Sequence, residues 1–90
     1  MKVFMCKRAG GYSGGLAVVA ANSCEEAYIV FHTDERYKWM LDCFDEDGNY
    51  SEDPSIVGSY YYPKENWFEV PSLVANVDEP MVIDENGYSE

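Results

Sequence analysis

The side chains best equipped for chemistry in this sequence are a thiol, an imidazole and a crowd of carboxylates. Cys24 stands at the start of an apolar, helix-spaced segment, and a helix N-terminus lowers a thiol's pKa and sharpens it as a nucleophile. His32, the single histidine, falls at the other end of that segment, where an imidazolium complements the helix dipole. Neither has a partner at motif spacing, so an acid, a base and a nucleophile are present in type without being assembled. A small apolar side chain is the plainer role for Cys24. Cys6, Cys24 and Cys43 are odd in number, far apart and without a CxxC pair, which suits reduced thiols better than a disulfide framework or a zinc site.

Two further stretches invite a ligand and then fail its requirements. Asp45-x-Asp47-Gly48 resembles the middle of an EF-hand calcium loop, but with Gly48 at the sixth position the first falls on Cys43 and the twelfth on Pro54. Both of the strongest ligands are then missing, and the stretch reads as a solvated acidic turn. Gly10-Gly11-Tyr12-Ser13-Gly14-Gly15 is rich enough in glycine to cradle a phosphate, yet no Lys-Ser/Thr follows it and it leads into a strand. No metal, no cofactor and no catalytic residue is expected.

The charge is the stronger signal. Seventeen acidic groups face six basic ones, a formal net charge of −11. Residues 1–41 hold Lys2, Lys7, Arg8, Arg36 and Lys38 against Glu25, Glu26, Asp34 and Glu35. Beyond them, thirteen acidic groups face Lys64 alone, an asymmetry that points to a charged interaction face. The candidates are Asp42, Asp45, Glu46, Asp47, Glu52 and Asp53, with Asp78, Glu79, Asp84 and Glu85 as a second cluster; the alternative is that these charges only keep the chain solvated. A nucleic-acid site is built from Lys and Arg to neutralise phosphates, and a folded array of carboxylates collects the same attraction and steering. Tyr60, Tyr61 and Tyr62 read first as core and edge residues of a strand and second as an aromatic contact patch; their acidic surroundings disfavour direct nucleic-acid binding, which needs a basic groove.

These groups must be positioned by a small fold. Ninety residues with 47% hydrophobic and 16% aromatic content make one domain, residues 1–90, with a thin core. Lys2–Arg8 alternates as a first strand, with Val3, Met5 and Lys7 on one face and Phe4 and Cys6 on the other. The glycine-rich turn makes Leu16–Ala21 its antiparallel hairpin partner. Asn22 or Ser23 can cap the next helix, Ser23-x-x-Glu26 has capping-box spacing, and the helix has Cys24, Ala27, Tyr28, Val30 and Phe31 on its apolar face. Residues 34–44 fit both a helix and a strand, and the helical spacing of Tyr37, Met40, Leu41 and Phe44 favours a second helical segment. Ile56–Tyr62 and Trp67–Val70 read as a second hairpin about a Pro63–Asn66 turn. Pro71 and Pro80 bar the next stretch from a central strand. Met81–Asp84 is a last short strand, and residues 85–90 a turn and tail. The expected class is α+β: an antiparallel sheet of four to five strands with one main helix, about residues 23–33, packed on one face.

The strand, glycine-rich turn, strand ending Val-Val-Ala-Ala-Asn-Ser, helix opening Glu-Glu-Ala and C-terminal Gly-Tyr-Ser-Glu resemble a type of small protein common in bacteriophage and prophage genomes. The resemblance covers residues 1–33 and 66–90, and leaves the acidic middle, residues 42–53, without a counterpart. Such proteins mostly lack an assigned activity, so no site residue carries over. Small acidic phage proteins include inhibitors of host defence, anti-CRISPR proteins and DNA mimics among them. The resemblance therefore implies a phage-encoded inhibitor in the host cytosol that occupies a basic site on a host nucleic-acid-binding protein. The alternative is a structural homo-oligomer joined through an edge strand or the tyrosine-rich hairpin, again without enzymatic activity. No apolar run approaches the roughly 18 residues of a membrane span, and early charge interrupts any signal peptide, so no membrane partner is expected.

Overall fold

A computed structural model describes residues 1–9, 15–42 and 44–87. Most of the glycine-rich turn, Cys43 and the last three residues lie outside the described residues. Four strands, β1 (Lys2–Lys7), β2 (Gly15–Ala21), β3 (Phe68–Val74) and β4 (Met81–Gly87), form one antiparallel sheet in the order β3-β1-β2-β4. One helix, α1 (Cys24–Thr33), packs on it, so the α+β class and the four-stranded sheet are as expected. The C-terminal strand runs three residues further than its apolar run suggests, because Ala17, Leu16 and Gly15 continue its ladder with Glu85, Asn86 and Gly87.

The β1–β2 pairing is regular from Lys2↔Ala21 to Lys7↔Leu16. The β1–β3 pairing is not: Phe4 faces Glu69 while Lys2 faces Val74. Pro71 falls inside that interruption and has no N–H to give a ladder, so β3 is tolerable only as an edge. On β4, Val82 faces Val19 and Asp84 faces Val18, which leaves Ile83 in a bulge.

The pleat then sorts side chains into rows. Glu69, Phe4, Val19 and Val82, followed by Cys6, Ala17 and Glu85, face the helix. Phe68, Met5, Val18 and Asp84, followed by Val3, Ala20 and Met81, face the other way.

Helix α1 starts as its spacing predicts. Ser23 Oγ accepts the Glu26 N–H at 3.1 Å, and the Glu26 carboxylate reaches back to the backbone N–H of Asn22 at 2.8 Å and to its side-chain amide at 2.9 Å. The reciprocal bond is thus displaced by one residue from the usual capping box. The buried face is Ala27, Tyr28, Phe31 and His32, whereas Cys24 is exposed and Val30 half-buried.

Residues 34–67, between α1 and β3, form a long excursion with little regular structure. The second helical segment is reduced to a turn and a 3-10 helix at Lys38–Met40. Asp34 captures the turn by accepting from the Arg36 N–H at 2.9 Å and from its guanidinium at 3.0 and 2.9 Å, and Leu41 is already extended to bridge Ser59. The hairpin expected from Ile56–Tyr62 and Trp67–Val70 does not form. Instead Ile56 and Val57 turn back on the Asp53 carbonyl at 2.9 and 3.1 Å, and side-chain hydroxyls replace a ladder. Tyr28 Oη donates to the Val57 carbonyl at 3.0 Å, Ser59 Oγ donates to the Met40 carbonyl at 3.2 Å, and Ser59 Oγ accepts the Tyr62 N–H at 3.2 Å.

The main core lies between this helix-plus-excursion layer and the sheet. Phe31 is its hub, stacked on Tyr37 at 4.9 Å and edge-on to Tyr62 at 4.9 Å, with Trp67 at 5.6 Å. A smaller cluster of Val3, Ala20 and Ala75 sits on the opposite face, where Ala75 and Met1 exchange backbone hydrogen bonds at 2.8 and 2.9 Å.

Candidate protein-interaction surface

The groups that could have made a catalytic centre are kept apart. Cys24 and His32 are eight residues apart on one helix, about 12 Å of rise; the thiol is exposed and the imidazole buried. His32 does not serve the helix dipole as a cation. It is 1% exposed among the rings of Tyr28 and Phe31, and burial lowers its pKa to about 4, the Tyr62 backbone opposing only in part. Neither ring nitrogen has a partner of hydrogen-bond geometry among the described residues. The Cys6 thiol is buried and pushed up to about 12, by desolvation first and by Glu65 second, which leaves it a packing group.

The excursion carries a different chemistry. Its 3-10 helix buries Met40 and Leu41 behind it and turns Trp39 outward, 62% exposed. Beside Trp39 lies a cleft of about 270 Å³ lined by Glu35, Lys38, Leu41, Asp42, Ser51 and Glu52. Asp42 is held there by its backbone N–H, which donates to the Gly58 carbonyl at 2.8 Å. Three carboxylates thus surround one indole with a single lysine among them. On the other side of Trp39, Tyr61 approaches edge-on at 6.1 Å and Tyr60 follows at 5.3 Å. The Arg8 guanidinium covers the Tyr61 ring at 4.6 Å.

The acidic turn is built by its own side chains. Asp45 Oδ1 accepts the N–H groups of Asp47 and Asn49 at 2.9 and 2.8 Å, and Gly48 takes the positive φ of +83° that the bend requires. This is an Asx turn, and it spends Asp45 on the backbone where the calcium-loop likeness would aim it at an ion. Asp53 does the same for the next turn, accepting from the Ser55 N–H and hydroxyl at 2.9 and 2.7 Å, which lowers its pKa. Asp53 therefore keeps its charge on the surface. Phe44 and Tyr50 bracket the acidic turn with exposed rings 6.0 Å apart.

The candidate residues therefore divide. Asp42, Asp45, Glu46, Asp47, Glu52 and Asp53 share one excursion, and none of them has an ion pair among the described residues. The second cluster is dispersed. Asp78 and Glu79 sit in the β3–β4 connection beside Val77, Pro80 and Met81, and the pleat sends Asp84 and Glu85 to opposite faces. Glu85 Oε1 accepts from Tyr62 Oη at 2.6 Å. That bond places Tyr62, wholly buried, in the core, and leaves Tyr60 and Tyr61 as the accessible members of the triplet. Glu35 and Trp39 were missing from the candidates, although with Asp42 they recur at i, i+4 and i+7, the solvent side of the same helical spacing that marks Met40 and Leu41 as buried.

No helix among the described residues is long and apolar enough to cross a membrane. No protein-family model matches the chain, and no curated protein or solved structure matches it.

Proposed function

We propose that the protein is a small acidic interaction module that binds a basic site on another protein through residues 35–61 of its excursion. One observation carries the reading: carboxylates without an ion pair among the described residues and exposed aromatic rings occur side by side there, around the Trp39 cleft. Carboxylates attract a lysine- or arginine-rich surface and speed its encounter. An exposed indole adds a face on which a guanidinium or ammonium can rest. Partner sites of that chemistry are those that otherwise hold nucleic acid. The module then acts as an inhibitor by occupation, in the manner of a phage-encoded DNA mimic in the host cytosol, without a cofactor and without turnover.

The test is competition. A host protein captured by the chain at low salt should be released as salt rises, and displaced by duplex or single-stranded DNA. Asp42→Asn with Glu52→Gln should weaken capture at least tenfold, and Trp39→Ala by a similar factor. Capture indifferent to salt, to DNA and to these substitutions would remove the excursion from the function. A structural homo-oligomer is the second reading, and the apolar second face of the sheet favours it.

A further inference from the structure

An antiparallel sheet with one face in water alternates apolar with polar residues. This sheet does not. On β1 both Phe4 and Met5 are apolar, on β2 both Val18 and Val19, and on β4 both Val82 and Ile83, so the face turned away from the helix is apolar as well. The described chain covers it only at one end, where Ala75 and Val77 pack on Val3 and Ala20. The remainder is open: Phe68 is 44% exposed, Met81 46% and Ile83 46%, with Met5 and Val18 half-buried between them. An apolar groove of about 430 Å³ lies between the Leu73–Val77 segment and Val18, Met81 and Ile83.

We propose that this face is where two copies of the chain pack, sheet against sheet, as a twofold dimer. The area fits. The exposed side chains amount to roughly 400 Å² of apolar surface, the size of the largest, often functional, patch on a monomer. A standard interface buries about 800 Å² per partner as an apolar core inside a polar rim, so the patch supplies that core and its surroundings the rim. Apolar sheet faces pack about 10 Å apart in this way.

Charge selects the occupant. The chain carries −11, yet the pleat gives this face Lys7 at the end of β1 and Asp84 on β4, one charge of each sign. Asp78 and Glu79 stand only at its Val77–Met81 end, so across the strands a basic partner finds little to neutralise, whereas a second copy finds a match for both charges. With the twofold axis along the strands, β1 lies over β2 of the other copy, and Lys7 comes to the side on which Asp84 of the other copy stands. The two acidic excursions then point outward from opposite sides of the dimer, which makes it bivalent toward a partner.

Sedimentation equilibrium of the full chain tests this. A species of twice the 10.2 kDa chain mass is expected, and it should tighten or hold as salt rises from about 0.05 M to about 1 M, because screening relieves the repulsion between two acidic chains. Ile83→Lys and Phe68→Lys, at opposite edges of the face, should each weaken dimerisation about 100-fold while circular dichroism and Trp67 emission report an intact fold. If a lysine variant fails to fold, the wild-type protein still decides: peroxide oxidation of Met81 should slow as the protein concentration rises through the dimerisation range. A single 10.2 kDa species at high concentration would overturn the proposal. So would a dimer that dissolves in salt, a dimer indifferent to both folded variants, or Met81 oxidation independent of concentration.

Discussion

The two faces of the sheet are cut from the same strands, with alternate residues going to each, and differ in what lies over them. The helix face is covered by α1 and by an excursion that has almost no regular backbone, held on by rings and hydroxyls: Phe31 against Tyr37, Tyr62 and Trp67, and Tyr28, Ser59 and Tyr62 reaching across to partners. The other face carries aliphatic side chains, with Phe68 the one ring among its rows, and among the described residues is covered only at the Ala75–Val77 end. An apolar sheet face is thus not by itself a core. It becomes one only where the chain has length and large side chains to spend on a cover.

Truncating the hub of the covered face breaks the comparison most severely. Phe31→Ala should destabilise the protein by about 3–5 kcal/mol, the range for emptying a buried phenylalanine site, read by urea unfolding. A loss below about 1 kcal/mol would mean that the excursion does not pack as a cover. Next comes acid. His32 is neutral in the folded protein with a pKa lowered to about 4, against 6.5 for an unperturbed imidazole. Above pH 6.5 neither state holds the proton, and stability is complete. As pH falls from 6.5 to about 4 the unfolded chain binds a proton that the folded one refuses, so stability drops by about 3 kcal/mol in total. The difference between wild type and His32→Leu, measured by unfolding at pH 7 and pH 4, isolates this contribution from the carboxylates. Equal acid losses in both would place His32 outside the core. A smaller effect follows for Tyr62→Phe, which removes the 2.6 Å bond to Glu85 joining the cover to β4. About 1.5–2 kcal/mol should be lost, the lower end of the range for a hydrogen bond to a charged group.

What was legible in the sequence follows from the range of the forces involved. The β1–β2 hairpin, the Ser23 cap and α1 are set by alternation, turn residues and helical spacing within a few positions of one another, and they form as read. Ile56–Tyr62 has strong strand composition and still does not pair. Its Val57 carbonyl and Ser59 hydroxyl are claimed by Tyr28 and Met40, contacts made across the fold that no local pattern encodes. The role of His32 was hidden for the same reason, since its burial depends on rings brought up from elsewhere. In the candidate surface the six excursion carboxylates were found by composition, but the Trp39 cleft needed the turn that Asp34 and Arg36 lock. The open apolar face did leave a signal. Leu16–Ala21 is apolar at both parities, as a strand covered on two sides should be.

The finest test of the two faces sits on adjacent residues of β4. Val82 is 4% exposed and packs in the main core, while Ile83, one step along in the bulge, is 46% exposed on the open face. At a concentration low enough to keep the chain monomeric, Val82→Ala should cost about 2 kcal/mol, for two buried methyl-sized groups and the space they leave. Ile83→Ala should cost less than about 1 kcal/mol, since much of that side chain already meets water. Raising the protein concentration should then separate them a second time. The Val82→Ala loss should stay constant, whereas the Ile83→Ala loss should grow as dimerisation adds to wild-type stability by mass action. Two losses of equal size at every concentration would mean that both faces are buried within one chain.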